Sequence, residues 1–129
     1  MILDTNALVA LLKGVPEANE AFHRLEETDN EISTTIISAY ELIRGAYVSS
    51  TPEKNLAEVQ ALLSNIQILD LTLQACEEAS KIYLKLRKRG CLIGETDVLI
   101  AGIVKATAGT LLTRDVHFKL VEGLDSVKW

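Results

Sequence analysis

The chain has 129 residues, enough for one domain and too few for two with separate cores. Its 48% apolar content can fill such a core, and charged residues interrupt every apolar stretch well short of the roughly 20 residues a membrane span needs, which excludes a transmembrane helix. A net charge of -5 and a pI near 5.0 exclude a grip on nucleic acid by bulk electrostatics, so any such grip must be local.

Taken in chain order, strand-like and helix-like segments alternate, with no low-complexity linker or repeat to divide them. The opening Met1-Ile2-Leu3-Asp4-Thr5-Asn6 lacks the basic and apolar regions of a signal peptide, which predicts a cytoplasmic protein with Cys76 and Cys91 as reduced packing residues. Met1-Ile2-Leu3 reads as a short buried strand. Leu8, Leu11 and Leu12 stand at helical spacing from Asn6 to Lys13, Gly14 stops them, and Pro16 begins a helix reaching about Glu27. Glu31 to Thr34 is a second strand, and a helix runs from about Ala39 to Val48.

Thr51-Pro52 reads as cap and first residue of a helix reaching about Ser64, and Ile66 to Leu69 as a third strand. Thr72 caps a long helix with Ala75, Ala79, Ile82 and Leu86 on one face, ended by the basic run from Lys85 to Arg89 and by Gly90. Val98 to Ala108 is apolar almost all round, as expected of a buried helix closed by Gly109. Thr110 to Thr113 gives a fourth strand, Phe118 and Leu120 fall in a short helical turn, and Ser126 to Trp129 adds an edge strand. This alternation predicts one α/β domain over residues 1–129, a parallel sheet with helices on both faces.

In such sheets functional groups gather beyond the carboxyl ends of the strands. Asp4 directly follows the first strand, and Asp115 follows the fourth. Glu41 is expected in the first turn of the helix after the second strand, and Asp97 in the first turn of the helix before the fourth. Helices packed antiparallel to the strands start at the same edge, so all four carboxylates should meet there. Each also has a plainer reading. Asp4 or Thr5 would cap the first helix, Ser38-Ala39-Tyr40-Glu41 matches a capping box, Asp97 with Glu95 would favour a helix start, and Asp115 would cap the turn Val116 to Lys119.

Crowded carboxylates repel and raise one another's pKa, a conflict that a hard divalent cation resolves. An all-oxygen set suits Mg²⁺ or Mn²⁺, whereas zinc is disfavoured because His23 and His117 share no ligand spacing and the two cysteines complete no set. His23, on a polar helix, reads as a surface residue. A cation at that edge would serve the hydrolysis of a phosphodiester. Arg44, Arg114 and the Lys85 to Arg89 cluster are the candidates for a local grip on a phosphate backbone, the cluster also reading as a solvated helix end.

The four stretches Met1-Ile2-Leu3-Asp4-Thr5-Asn6, Tyr40-Glu41-Leu42-Ile43-Arg44-Gly45, Ile93-Gly94-Glu95-Thr96-Asp97-Val98-Leu99-Ile100-Ala101 and Leu112-Thr113-Arg114-Asp115, the last followed by Phe118, together resemble the PIN domains. Within that family they resemble the VapC-type toxins of prokaryotic toxin–antitoxin pairs, along the whole chain. The resemblance implies a three-layer α/β/α sandwich, Mg²⁺- or Mn²⁺-dependent endoribonuclease activity on RNA, a homodimer, and a cognate antitoxin that occludes the acidic groove. It places Asp4, Glu41 and Asp97 on the family's acidic positions and Asp115 on a fourth where Asp or Asn occurs. Asn6 and Thr113 are implied supporting residues, and Glu95 an extra acid able to replace or assist a ligand. Two rival readings remain. One is a phosphoaspartate phosphatase or receiver, which expects an Asp where Asn6 stands or a Lys near Arg114-Asp115; the other is a PIN-like binding module without chemistry.

Overall fold

The computed structural model describes residues 1–28 and 31–129. Its sheet is entirely parallel: β1 (Ile2–Leu3), β2 (Ser33–Thr35), β3 (Gln67–Leu69), β4 (Leu111–Leu112) and β5 (Ser126–Val127) lie in the order β3-β2-β1-β4-β5. Parallel neighbours need crossovers, and the crossovers are helical. They are α1 (Thr5–Leu12), α2 (Pro16–Glu27), α3 (Ile36–Tyr47), α4 (Pro52–Leu63), α5 (Leu73–Lys88) and α6 (Glu95–Ala106), while a 3-10 helix, Val116–Leu120, follows β4.

Successive strand residues point to opposite faces of a sheet, and the two central strands supply both cores. Ile2 and Leu111 face one side and pack with Ala79, Ile82 and Leu86 of α5, Ile100, Ala101 and Val104 of α6, and Phe118. Leu3 and Leu112 face the other, against Ala7 and Leu8 of α1, Leu42 and Ala46 of α3 and Val59 of α4. A sheet two residues deep is thereby buried on both sides, which gives the expected α/β/α sandwich. The near-continuous apolar face of α6 follows from its place: Ile100, Ala101, Ile103 and Val104 are all buried.

The chain runs from β1 outward to β2 and β3, then returns to β4 on the opposite side of β1. The order therefore reverses at β1, and the crevice beyond its carboxyl end is where open parallel sheets bind ligands.

Several boundaries differ from those read in the sequence. The second strand is Ser33–Thr35, not Glu31 to Thr34, and α3 starts at Ile36, three residues earlier than expected. The reason is Thr35, whose side chain accepts the Ser38 N–H at 3.1 Å and caps the helix directly where the strand ends. Ser38 is thus inside the helix, the capping box does not form, and Glu41 sits in the second turn, not the first. Similarly α6 begins at Glu95 and ends at Ala106, because Ala108 turns to a positive φ of 51°. Thr51 precedes α4 without a side-chain capping bond, whereas Thr72 caps α5 as expected, accepting the Ala75 N–H at 3.1 Å.

Candidate active site

Strand register builds the site. Leu3 is level with Leu112 on one side and Thr34 on the other, so the next residue along β1, Asp4, lies beside Thr113 and Thr35. Asp4 is 2% exposed, and both of its carboxylate oxygens are used: Oδ1 accepts the Ala7 N–H at 2.7 Å, and Oδ2 accepts the Thr113 hydroxyl. Capping α1 and facing the other acids are therefore simultaneous roles, since each carboxylate oxygen has a second lone pair. Thr113 also accepts the Asp115 N–H at 2.9 Å, so a single hydroxyl ties the first acid to the fourth.

Glu41 comes from α3. Its Oε1 accepts the Thr5 hydroxyl at 2.8 Å, and Thr5 Oγ1 lies 3.0 Å from Ser38 Oγ, which is itself buried and 3.3 Å from Thr35 Oγ1. This line of hydroxyls fixes the carboxylate from behind. Thr5 and Ser38 are functional-site residues that sequence reasoning treated only as caps; the available signal was that Thr5 adjoins Asp4 and Ser38 lies one helical turn before Glu41.

Asp97, the third residue of α6, and Asp115 come together at the edge. One oxygen of each, with a nitrogen of His117, all lie within 4.8 Å of one another. Asp115 Oδ1 accepts the His117 N–H at 2.9 Å, capping the 3-10 helix, and stands 3.2 Å from His117 Nδ1. The sequence reading weighs His117 only as a zinc ligand with His23; the structure brings it beside Asp115, two residues earlier, and Asp97 joins the pair from another element. His23 is on the surface beside Glu26.

The electrostatics register the convergence. Burial pushes the Asp4 carboxyl above its ordinary value; the bonds from Thr113 and Ala7 pull it down, and the charges of Asp115 and Glu41 push it up again. Asp97 is also raised, first by burial, then by Asp115, Glu41 and Asp4, against a lowering by His117. The charges of Glu41 and Asp115 thus bear on both Asp4 and Asp97.

Other candidates lie elsewhere. Glu95 lines a groove with Cys76, Ser80, Tyr83 and Leu99, on the α5 side of its helix. Asn6 is exposed. Arg44 is exposed one turn beyond Glu41, its guanidinium 5.1 Å from the centre of the Tyr40 ring. Arg114 is stacked 3.8 Å from the Trp129 ring centre and donates Nε–H to the Trp129 carbonyl, so its charge is engaged within the fold. In the basic cluster, Lys85 and Arg89 pair with Glu122 at 3.9 and 3.3 Å. Among the described residues no helix is long and apolar enough to cross a membrane.

The donor set fits a divalent cation. It offers carboxylate oxygens from separate elements, two of them on groups whose charged form is disfavoured without compensation.

The family model described as PIN domain matches residues 1–124. The chain is 30% identical over 129 residues to the tRNA(fMet)-specific endonuclease VapC of Salmonella typhimurium, covering 99% of this chain and 96% of that protein. It is equally similar, 30% over the same shares, to Ribonuclease VapC2 of Haemophilus influenzae. Among solved structures it resembles VapBC2 from Rickettsia felis bound to a promoter DNA fragment, with a TM-score of 0.93 and 27% identity over 99% of this chain and 97% of that one. DNA-bound VapBC from Salmonella typhimurium gives a TM-score of 0.91 at 29% identity, covering 99% and 96%.

Proposed function

The chain belongs to the PIN domain family, and on that premise we propose that it is a divalent-metal-dependent endoribonuclease, the toxin of a toxin–antitoxin pair. The observation that carries the reading is the convergence of Asp97 and Asp115 at the carboxyl edge of the sheet, with Asp4 and Glu41 near enough for their charges to act on Asp97; burial first, and the acidic neighbours after it, raise both Asp4 and Asp97. Its relatives named ribonuclease or endonuclease, similar from end to end, support it.

In this reading Asp97, Asp115, Asp4 and Glu41 would hold Mg²⁺ or Mn²⁺, which would supply activation of an attacking water and charge compensation for the phosphate. The chain's own residues do the rest. Thr113 holds Asp4 and the backbone of Asp115 at a fixed separation, and the hydroxyl line from Thr35 through Ser38 and Thr5 holds Glu41. Preorganised in this way, the Asp4 and Glu41 carboxylates need no reorientation when substrate arrives. Arg44, free to reach solvent beside Glu41, serves as a cation for the RNA backbone in a protein whose net charge repels it.

A groove of about 350 Å³ runs from Thr5 and Glu41 over Val9, Leu12, Leu42 and Val59, and we assign it to apolar side chains of an antitoxin. The neighbours solved as VapBC complexes support that partner. A homodimer is part of the same reading, supported by the exposed Tyr47 and Val48 at the end of α3. A cytoplasmic location belongs to the same reading.

The test is cleavage of structured RNA by purified protein with Mn²⁺, with Mg²⁺ and with chelator, beside Asp4→Asn and Asp97→Asn. Cleavage that needs the metal and falls by about 10²-fold or more in both variants is the expected result. Cleavage undiminished in the variants overturns the proposal.

A further inference from the structure

The histidine that enters the site alters which cation the site suits, an inference that rests on the reading of these acids as metal ligands. Among the described residues, Asp97, Asp115 and His117 are the one group of three or more potential ligands whose atoms converge within 4.8 Å, and one of the three donors is nitrogen. The imidazole is held there by two features. Asp115 Oδ1 accepts the His117 N–H at 2.9 Å, which fixes where the side chain leaves the backbone, and the 3-10 helix directs the ring back so that Nδ1 lies 3.2 Å from the same oxygen.

We propose that His117 is a nitrogen ligand of the cation held by Asp97 and Asp115, and that it biases the site toward first-row transition ions such as Mn²⁺ over Mg²⁺. Mg²⁺ is a hard ion that binds carboxylate, carbonyl and water oxygens, whereas imidazole nitrogen suits first-row transition ions; Mn²⁺, the weakest binder of that series, shares the preference of Mg²⁺ for oxygen, so at this site the single imidazole is what separates the two ions. Ligand atoms sit about 2.0–2.2 Å from ions of this size, so donors spread over 4.8 Å are drawn onto one ion by side-chain rotation. The His117 side chain is 61% exposed, so the ring has room to swing the short way from its Asp115 contact onto an ion shared with Asp115. The competing reading is a plain surface pair between His117 and Asp115, in which metal preference owes nothing to the ring.

The test uses chelator-treated full-length protein, wild type beside His117→Ala and Asp97→Asn, with Mn²⁺ as probe and Mg²⁺ as competitor. Bound Mn²⁺ is read by electron paramagnetic resonance, and coordinated nitrogen by pulsed electron-spin-echo modulation. Wild type is expected to show nitrogen modulation from the bound Mn²⁺; His117→Ala is expected to lose it and to lose Mn²⁺-over-Mg²⁺ preference by on the order of tenfold. An unchanged melting temperature in His117→Ala confirms that the effect is local. Mn²⁺ bound through Asp97 without nitrogen modulation, or with preference unchanged in His117→Ala, overturns the role of His117 and leaves the carboxylate site standing. No Mn²⁺ binding to the wild type overturns both.

Discussion

Thr113 donates its hydroxyl proton to Asp4, a residue 109 positions earlier in the chain, and this bond closes the seam between β1 and β4 just beyond their last paired residues. The same Thr113 oxygen accepts the Asp115 N–H. Thr113→Val keeps the shape and removes both partners, leaving a buried carboxylate and a backbone N–H less satisfied. We expect a loss of about 1–3 kcal/mol of unfolding free energy by denaturant titration, with most of it restored in Thr113→Ser. A Thr113→Val protein as stable as wild type would remove this hydroxyl from the account of the site.

The raised carboxyls carry a stability consequence with a definite sign. Asp97 has a folded-state pKa above its ordinary 3.8, so the folded chain holds that proton more tightly than the unfolded one. The stabilisation from this group is complete below 3.8 and is lost as pH rises through the raised value. Asp97→Asn escapes that loss. In chelator the variant's melting temperature is therefore expected to exceed that of wild type near neutral pH, with the gap closing in acid; a gap independent of pH would contradict the shift. Cation reverses the order, since a ligand at 100 times its Kd adds about 2.7 kcal/mol to wild type and less to the variant.

Much of this edge was legible because β1 and β4 are short and their following residues are acidic, so Asp4 and Asp115 could be placed from chain position alone. The alternation of apolar strands with helices carried the parallel sheet in the same way. What escaped were relations between elements. The pattern Ser38 to Glu41 fits a capping box, but the competing cap at Thr35 depends on where β2 ends, which its pairing with β1 and β3 decides. His117 stands two residues after Asp115, but that spacing carries no signal by itself, because Asp97, the third member of the group, belongs to a helix twenty residues earlier. Arg114 is a candidate for a phosphate grip, and nothing local in the sequence shows that Trp129 returns to stack on it.

Gly102 tests the packing that delivers Asp97. A Cβ added there would lie 2.6 Å from the Ala75 carbonyl oxygen, 2.7 Å from the Ala79 Cβ and 2.9 Å from the Ala79 nitrogen, so α5 and α6 approach backbone to backbone. Backbone atoms cannot rotate away. Gly102→Ala is expected to destabilise by about 1–3 kcal/mol despite the better helix propensity of alanine. Because α6 carries Asp97 in its first turn, metal affinity should weaken too, measured by Mn²⁺ titration. A fully stable Gly102→Ala protein would mean the helices have room to part.

The two arginines proposed in the sequence to meet RNA separate by what they touch. Arg114 stacks 3.8 Å from the centre of the Trp129 ring and bonds the Trp129 carbonyl, and the indole Nε1 is buried with no hydrogen-bond partner among the described residues, so the ring is seated by this stack together with its packing against the apolar cluster around Leu3 and Leu112. Arg114→Ala should therefore cost stability, about 1–2 kcal/mol, and Arg114→Lys should not restore it, because an ammonium lacks the planar face. Among the described residues the Arg44 guanidinium bonds and stacks on Tyr40 of its own helix, and its truncation should change stability by less than about 0.5 kcal/mol. Its effect belongs to RNA binding: the salt dependence of affinity for catalytically inactive protein should flatten by about one phosphate contact in Arg44→Ala. If Arg114→Ala instead weakens RNA binding at unchanged melting temperature, the ring stack is incidental and Arg114, not Arg44, faces the substrate.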